Sequence, residues 1–304
     1  MSDTPFKRFL DENHLYSHLF ENLSEKNELL ARSAETVFCM HGAKLSSYAS
    51  DILSFLEESE YAADYVDRFI NRIAYLNGLQ DRFDAEPTPG NLCDPFTKID
   101  RGDYNIALLL SILVSNHRME IMQNLKEFLS FVNKPTGRIA SVGMGTGYEL
   151  KLVADTLPGW CIEGYDTDEK THEDVKRLLQ FFNVKNDISL RFLFPNDRPD
   201  EGGPYNALLL CELLEHLEDP PGFLKMAKSF LSPDGFMFVT MAVNIAQEDH
   251  IYLYPTIDRC RKELSDTGLM ILFEKISPMT IRPLSPSENR QKIFSRGNYM
   301  AVVR

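Results

Sequence analysis

The chain has 304 residues, of which 43% are hydrophobic and 25% are charged, and its formal net charge is −13. This composition is typical of a folded globular chain, and the acidic excess disfavours a nucleic-acid partner because it repels phosphate backbones. No apolar run approaches the length of a membrane span and the N-terminus lacks an apolar signal core, so we expect a cytoplasmic protein with no membrane partner.

Residues 1–133 are predicted to form an all-helical domain. Apolar residues recur three and four positions apart over most of this segment, as in amphipathic helices. A stretch rich in proline, residues 87–95, interrupts the pattern and predicts a surface loop. We expect this domain to cover a substrate pocket and to mediate homodimerisation.

An apolar strand followed by a glycine-rich turn begins the second predicted domain, residues 134–304. The apolar run 139–142 is followed by Gly143, Gly145 and Gly147, and then by a segment with helical spacing. A second apolar strand ends in Asp166. Glycines let a ligand approach the backbone, and a helix N-terminus favours an anionic group. The unit therefore predicts a nucleotide-type cofactor site in which Asp166 accepts hydrogen bonds from a ribose.

The G-x-G-x-G spacing of this turn resembles motif I of the class I S-adenosylmethionine-dependent methyltransferases. The resemblance implies that S-adenosylmethionine (SAM) lies across the three glycines, with its ribose held by Asp166. We further expect Asp197 to contact the adenine and Cys211 to line the cofactor site. The chain departs from the family at Ser141, where an acid is usual.

Strands and helices alternate from residue 134 to the C-terminus. This order predicts an α/β fold, and it resembles the Rossmann-like seven-stranded methyltransferase sheet. After the strand that ends at Asp166, the predicted strands are 188–194, 205–211, 236–241, 270–276 and 299–303.

Three residues directly after the fourth strand predict a divalent metal site. Glu212, Glu215 and His216 would converge if they share one helical turn, and His250 follows the fifth strand at the same edge of the sheet. Carboxylate and imidazole ligands suit Mg²⁺, Mn²⁺, Fe²⁺ or Zn²⁺. The alternative is a pocket without metal, in which His216 or His250 acts as the catalytic base.

The E-x-x-E-H motif with a later D-H resembles the metal-dependent O-methyltransferases, among them the small-RNA 2′-O-methyltransferases. The resemblance implies that Glu212, Glu215, His216 and His250 are the metal ligands. After His250 the RNA enzymes continue with a Trp-Thr-Arg segment, where this chain has Leu-Tyr-Pro-Thr. Together with the acidic charge, this difference favours a small molecule over RNA.

We therefore expect SAM-dependent methyl transfer to a small hydroxylated or keto metabolite, with O-methylation favoured. The alternatives are a C- or N-methyltransferase of natural-product biosynthesis, a small-RNA 2′-O-methyltransferase and a non-catalytic SAM-binding regulatory protein. Four basic residues near the C-terminus have two interpretations: they bind a substrate carboxylate, or they form a charged segment that is exposed to solvent. They are Arg282, Arg290, Lys292 and Arg296.

Overall fold

The computed structural model describes residues 4–59, 62–132, 134–192, 204–279 and 296–304. Within these ranges, helices fill the N-terminal part of the chain, as the sequence predicts. The predicted loop at 87–95 contains one short helix, α6. The helices are α1 (Pro5–Glu12), α2 (His14–Lys26), α3 (Glu28–His41), α4 (Lys44–Glu58), α5 (Tyr65–Ala85), α6 (Pro89–Leu92), α7 (Arg101–Val114) and α8 (Asn116–Phe131).

Side-chain caps explain where several of these helices begin. The Thr4 hydroxyl accepts a hydrogen bond from the backbone N–H of Lys7 at the start of α1. The Asp100 carboxylate accepts one from the N–H of Asp103 at the start of α7. Each cap satisfies a donor that the helix leaves without an intrahelical partner.

The chain forms two compact units. One contains the N-terminal helices as far as Gly78 and returns at Lys98–Glu120. The other contains the sheet together with Leu79–Thr97 and the chain from Ile121 onward, as far as Ser277. In this second unit the Phe128 ring of α8 stacks on the Phe238 ring of the sheet, with centroids 5.6 Å apart. Helical segments on the N-terminal side of residue 133 therefore belong to the core around the sheet.

The second unit is built on a seven-stranded sheet with the order β3-β2-β1-β4-β5-β7-β6. The strands from β3 to β5 in this order run parallel, and β7 is antiparallel to β5. This topology confirms the predicted Rossmann-like α/β fold. The strands are β1 (Arg138–Val142), β2 (Cys161–Asp166), β3 (Ile188–Phe192), β4 (Tyr205–Leu210), β5 (Leu231–Val243), β6 (Ile271–Pro278) and β7 (Gly297–Val303).

Further helices of this unit, within the described residues, follow β1, β2, β4 and β5. They are α9 (Tyr148–Thr156), α10 (Glu169–Phe181), the short 3₁₀ turn η1 (Leu214–His216), α11 (Pro220–Ser229) and α12 (Ile257–Asp266). In the part of the chain that the structure describes, no helix combines the length and the apolarity that crossing a bilayer requires.

The start of β5 differs from the prediction. The segment Ser232–Gly235, which precedes the predicted fifth strand 236–241, lies within β5. The ladder between β4 and β5 shifts register between Tyr205 and Ala207. The shift accommodates Pro233, Asp234 and Gly235, which disfavour regular strand pairing. As a result β5 begins at Leu231, five residues before the predicted start at Phe236.

Candidate active site

The glycine turn lies between β1 and α9. Gly143, Gly145 and Gly147 all have positive φ, at 70°, 49° and 78°. A Cβ at Gly147 would lie 2.8 Å from the Val175 side chain of α10, and one at Gly143 would lie 3.0 Å from Leu213. The turn therefore depends on glycine both for its backbone conformation and for the close approach of its neighbours.

The acid predicted to hold the ribose lies beside this turn. β1 pairs with β2 in a register that places Val142 opposite Tyr165, so Asp166 follows directly at the same edge of the sheet. Its carboxylate is half-buried and accepts a hydrogen bond from the backbone N–H of Asp168 at 3.1 Å. β1 lies between β2 and β4, and the strand order reverses there. Ligands of open α/β sheets bind at such a switch point, so the turn and Asp166 fit SAM.

Two aromatic side chains next to Asp166 were not predicted as site residues. The His172 ring stacks on Phe192 at a centroid distance of 4.2 Å, and its Nε2 lies 3.2 Å from the backbone oxygen of Asp166. Phe192 is exposed at the end of β3. No signal in the sequence links the two positions, because α10 and β3 are brought together only by the fold.

Cys211 and Asp197 are the two remaining residues predicted to contact the cofactor. Cys211 directly follows β4 and is partly buried. Asp197 lies outside the described residues, as do Arg282, Arg290 and Lys292. The guanidinium of Arg296 donates a hydrogen bond to the Asp84 carboxylate at 2.9 Å.

Glu215, His216 and His250 form a cluster in which one potential ligand atom of each residue lies within 4.8 Å of the others. The rings of His216 and His250 stand edge to face, with centroids 4.9 Å apart and an interplanar angle of 83°. Backbone hydrogen bonds from Ile251 and Tyr252 to the Glu215 carbonyl, at 2.8 and 2.9 Å, join the two segments that carry these side chains.

Backbone carbonyls orient both imidazoles. Nδ1 of His250 lies 2.8 Å from the carbonyl oxygen of Ile245, and Nδ1 of His216 lies 3.0 Å from that of Asp249. A carbonyl oxygen only accepts, so we assign the proton of each neutral ring to Nδ1. Each Nε2 then carries a lone pair. Histidine ligands of metal ions are commonly oriented in this way.

Glu215 is 1% exposed, and neither carboxylate oxygen has a hydrogen-bond partner. The backbone amides of Glu215 and Ala242 lie near the carboxylate without reaching hydrogen-bond geometry. Burial, and then the charge of Glu212, raise the pKa of Glu215 well above its usual range. Burial, and then neighbouring His216, lower the pKa of His250 to about 3. His250 is therefore neutral at physiological pH.

Glu212 is the predicted ligand that the structure does not bring into this cluster. The single helical turn expected for residues 212–216 is not formed: Glu212 has a φ of 51°, and the 3₁₀ turn begins only at Leu214. Its carboxylate accepts hydrogen bonds from Asn298, at 2.6 and 2.7 Å, and from the Thr240 hydroxyl at 2.7 Å. The left-handed backbone at Glu212 interrupts the helical spacing that would align its side chain with those of Glu215 and His216.

Residues 115–263 match a family model described as a methyltransferase domain. A search of curated proteins gives no match. The chain is similar to the crystal structure of a SAM-dependent methyltransferase from Aquifex aeolicus, with 13% identity and a TM-score of 0.51; the match covers 68% of this chain and 98% of that one. It is also similar to an O-methyltransferase family protein from Burkholderia thailandensis, with 13% identity and a TM-score of 0.55; here 81% of this chain and 73% of that one are covered.

At 13% identity the two solved structures show that the fold is shared. The family model adds that residues 115–263 are a methyltransferase domain. The match extends over the glycine turn, Asp166 and the residues of the Glu215 cluster. Residues 115–263 are therefore a methyltransferase domain, and together with the fold they support a SAM-dependent methyltransferase.

Proposed function

We propose that this enzyme methylates an oxygen of a small hydroxylated or keto metabolite, and that Glu215, His216 and His250 hold a divalent ion beside the acceptor. The observation that carries the proposal is the buried Glu215 carboxylate, which lacks a hydrogen-bond partner and lies beside two oriented imidazoles. An uncompensated carboxylate in such a place is costly, and a cation offsets that cost. Two imidazoles and one carboxylate suit Fe²⁺, Mn²⁺ or Zn²⁺.

When bound, the ion supplies positive charge that stabilises a deprotonated acceptor oxygen. The residues of the chain supply orientation. The glycine turn admits the cofactor close to the backbone, and Asp166 accepts hydrogen bonds from its ribose. Methyl transfer is an in-line displacement, so alignment of the acceptor with the methyl carbon is a large part of catalysis.

The pKa of His250 favours the role of ligand over that of base. A general base works best when its pKa lies near the working pH, and burial lowers the pKa of His250 to about 3. Its lone pair is thus available to an ion but holds a proton poorly. His216 is only partly buried and is the better candidate for the base if the reaction proceeds without metal.

The experiment measures S-adenosylhomocysteine formation by chelator-treated protein with a panel of alcohols, keto acids and amines. We expect turnover to fall at least tenfold after chelation and to return with Mn²⁺ or Fe²⁺. In Glu215→Gln the metal should not restore activity. Glu218→Gln changes an exposed acid three residues away and should behave like the wild type. Full turnover in chelator would remove the metal from the proposal.

Mass spectrometry of the product identifies the methylated atom. O-methylation is the expected outcome, whereas methyl transfer to carbon or nitrogen would keep the enzyme class and overturn the acceptor. The proposed partner is a small molecule of a biosynthetic pathway, since the net charge of −13 opposes RNA binding. We also propose homodimerisation through the helical domain, residues 1–133, which light scattering of the full chain tests.

A further inference from the structure

The loop that carries His250 packs against a segment from the N-terminal half of the chain. This loop, residues 244–256, connects β5 to α12. The N–H of Gln247 donates to the Leu92 carbonyl at 3.1 Å, and the N–H of Asp94 donates to the Glu248 carbonyl at 3.2 Å. An apolar cluster lies beside these bonds. It is formed by Leu79, Phe83, Leu92 and Ala246, with Leu253 packed against it.

Within this contact the side-chain amide of Gln80 binds the loop backbone at two points. Its Nε2 donates to the carbonyl oxygen of Asn244 at 3.1 Å, and its Oε1 accepts from the N–H of Ala246 at 2.9 Å. The residue between these two is Ile245, whose carbonyl oxygen lies 2.8 Å from Nδ1 of His250. Gln80 therefore brackets the peptide unit that orients the His250 ring.

The orientation of the Gln80 amide is determined by its partners. A backbone N–H only donates, so the atom facing Ala246 must be the oxygen. The nitrogen also donates to the Asp84 carboxylate at 2.8 Å, and Asp84 in turn pairs with Arg296. The amide thus uses both donors and its acceptor, all with partners that fix its direction.

The clamp acts where the loop backbone takes an uncommon conformation. Asn244 has a φ of 54°, in the left-handed region that asparagine adopts more readily than most non-glycine residues. Its side-chain amide donates to the Pro255 carbonyl at 3.0 Å, and Gln80 holds the loop through the Asn244 carbonyl. Gln80 is 8% exposed, so water does not compete freely for its hydrogen bonds.

We infer that Gln80 is a positioning residue for His250: it holds residues 244–246 so that the Ile245 carbonyl keeps the His250 ring with its proton on Nδ1 and its lone pair on Nε2. The effect of Gln80 on metal binding rests on the proposed function. Its effect on the His250 ring does not, because the hydrogen bonds that carry it lie within the chain itself.

The test compares Gln80→Leu with the wild type in two measurements. The first is ¹⁵N NMR of the histidine side chains in metal-free protein, which reports which ring nitrogen carries the proton. The second is titration of metal-free protein with Co²⁺, followed by its visible absorption. We expect Gln80→Leu to give a mixture of His250 tautomers and about tenfold weaker Co²⁺ binding, the size of effect seen for residues that orient ligands. SAM affinity should change less than twofold.

Phe83→Leu is the matched control, because it loosens the same contact without touching the polar clamp. It should leave the His250 tautomer and the Co²⁺ affinity close to those of the wild type. If Phe83→Leu produces the same changes as Gln80→Leu at a similar loss of thermal stability, the effect is general loosening and the assignment of Gln80 is overturned.

Gln80→Glu keeps an acceptor for the Ala246 N–H and removes the donors to Asn244 and Asp84. If Gln80→Leu does not fold, the same two measurements are made on Gln80→Glu. An unchanged His250 tautomer in this variant would overturn the inference. If the wild type binds no Co²⁺, the proposed metal function fails, and the NMR measurement still decides the role of Gln80.

Discussion

Asn298 donates its side-chain amide to both carboxylate oxygens of Glu212, with distances of 2.6 and 2.7 Å. Asn298 lies on β7 and is fully buried, and Glu212 follows β4 in a left-handed conformation. These hydrogen bonds compensate the carboxylate of Glu212, a residue that the motif alone would make a metal ligand. The carboxylate of Glu215, by contrast, has no such partner.

We predict that Glu215 and Glu212 contribute unequally to metal affinity. Glu215→Gln should weaken Mn²⁺ binding at least a hundredfold, since it removes the one carboxyl group of the cluster, which can give the ion an anionic ligand. Glu212→Gln should weaken it less than tenfold and should cost about 1–3 kcal/mol of stability through the lost charged hydrogen bonds. Isothermal titration of metal-free protein measures the affinities. Equal losses in the two variants would instead support the four-ligand site that the sequence predicts.

Gly147 should be sensitive to the smallest substitution. In Gly147→Ala the new Cβ meets Val175 at 2.8 Å while the backbone stays at a φ of 78°, so we expect a loss of about 1–3 kcal/mol and weaker SAM binding. Gly42→Ala is the control, because its φ is 56° but nothing lies within 4 Å of the new Cβ. It should cost about 1 kcal/mol and leave SAM affinity unchanged.

Urea unfolding and titration calorimetry measure these two effects. Adding Val175→Ala to Gly147→Ala should recover part of the lost stability, since it removes the two γ-carbons that lie nearest the new Cβ. A Gly147→Ala variant that binds SAM as tightly as the wild type would mean that the cofactor does not approach this turn.

The carboxylate of Asp166 should control cofactor affinity. Asp166→Asn should weaken SAM binding at least tenfold, because hydrogen bonds to a charged acceptor contribute about 1.5–3 kcal/mol. Asp168→Asn changes the same charge two residues away, where the side chain caps α10 by accepting from the N–H of Thr171 at 2.9 Å. Asparagine also caps helices well, so this variant should retain both stability and SAM affinity. Equal weakening in both variants would contradict a specific role for Asp166.

Buried His117 should make the protein less stable in mild acid. Burial, and then neighbouring Arg118, lower the pKa of His117 to about 3, and the Ser115 hydroxyl lies 2.7 Å from its Nδ1. The unfolded chain takes up a proton near pH 6.5, whereas the folded chain stays unprotonated until about pH 3. Stability from this group is therefore fully present above pH 6.5 and is lost as the pH falls, by up to about 1.4 kcal/mol per pH unit.

Urea unfolding between pH 7.5 and 5 tests this prediction. His117→Gln should show a shallower loss of stability than the wild type over that range. His14→Gln, at an exposed position of α2, provides the control. An unchanged slope in His117→Gln would show that the acid sensitivity arises elsewhere, with buried His250 as the next candidate because its pKa is lowered in the same direction.

The cofactor half of the site could be predicted from the sequence because its parts are neighbours in the chain. Strand β1, the turn at Gly143–Gly147, helix α9 and the acid at the end of β2 form one continuous unit. Each part has a local signal, namely an apolar run, an alternation of glycines or helical spacing. The alternation of elements after residue 134 likewise predicted the α/β fold, since parallel strands need crossover connections, which are usually helices.

The geometry of the Glu215 cluster was decided only by the tertiary structure. The motif supplied Glu215, His216 and His250, whereas the Glu212 carboxylate, predicted to join them, accepts hydrogen bonds from Thr240 and Asn298. The hydrogen bonds on either side of Ile245, to Asn244 and Ala246, are made by Gln80, which is far away in the chain. Periodicity and turn preferences act over a few residues, whereas such contacts exist only after packing has brought distant segments together. The sequence therefore determined which chemical groups this methyltransferase carries, and packing decided which of them meet.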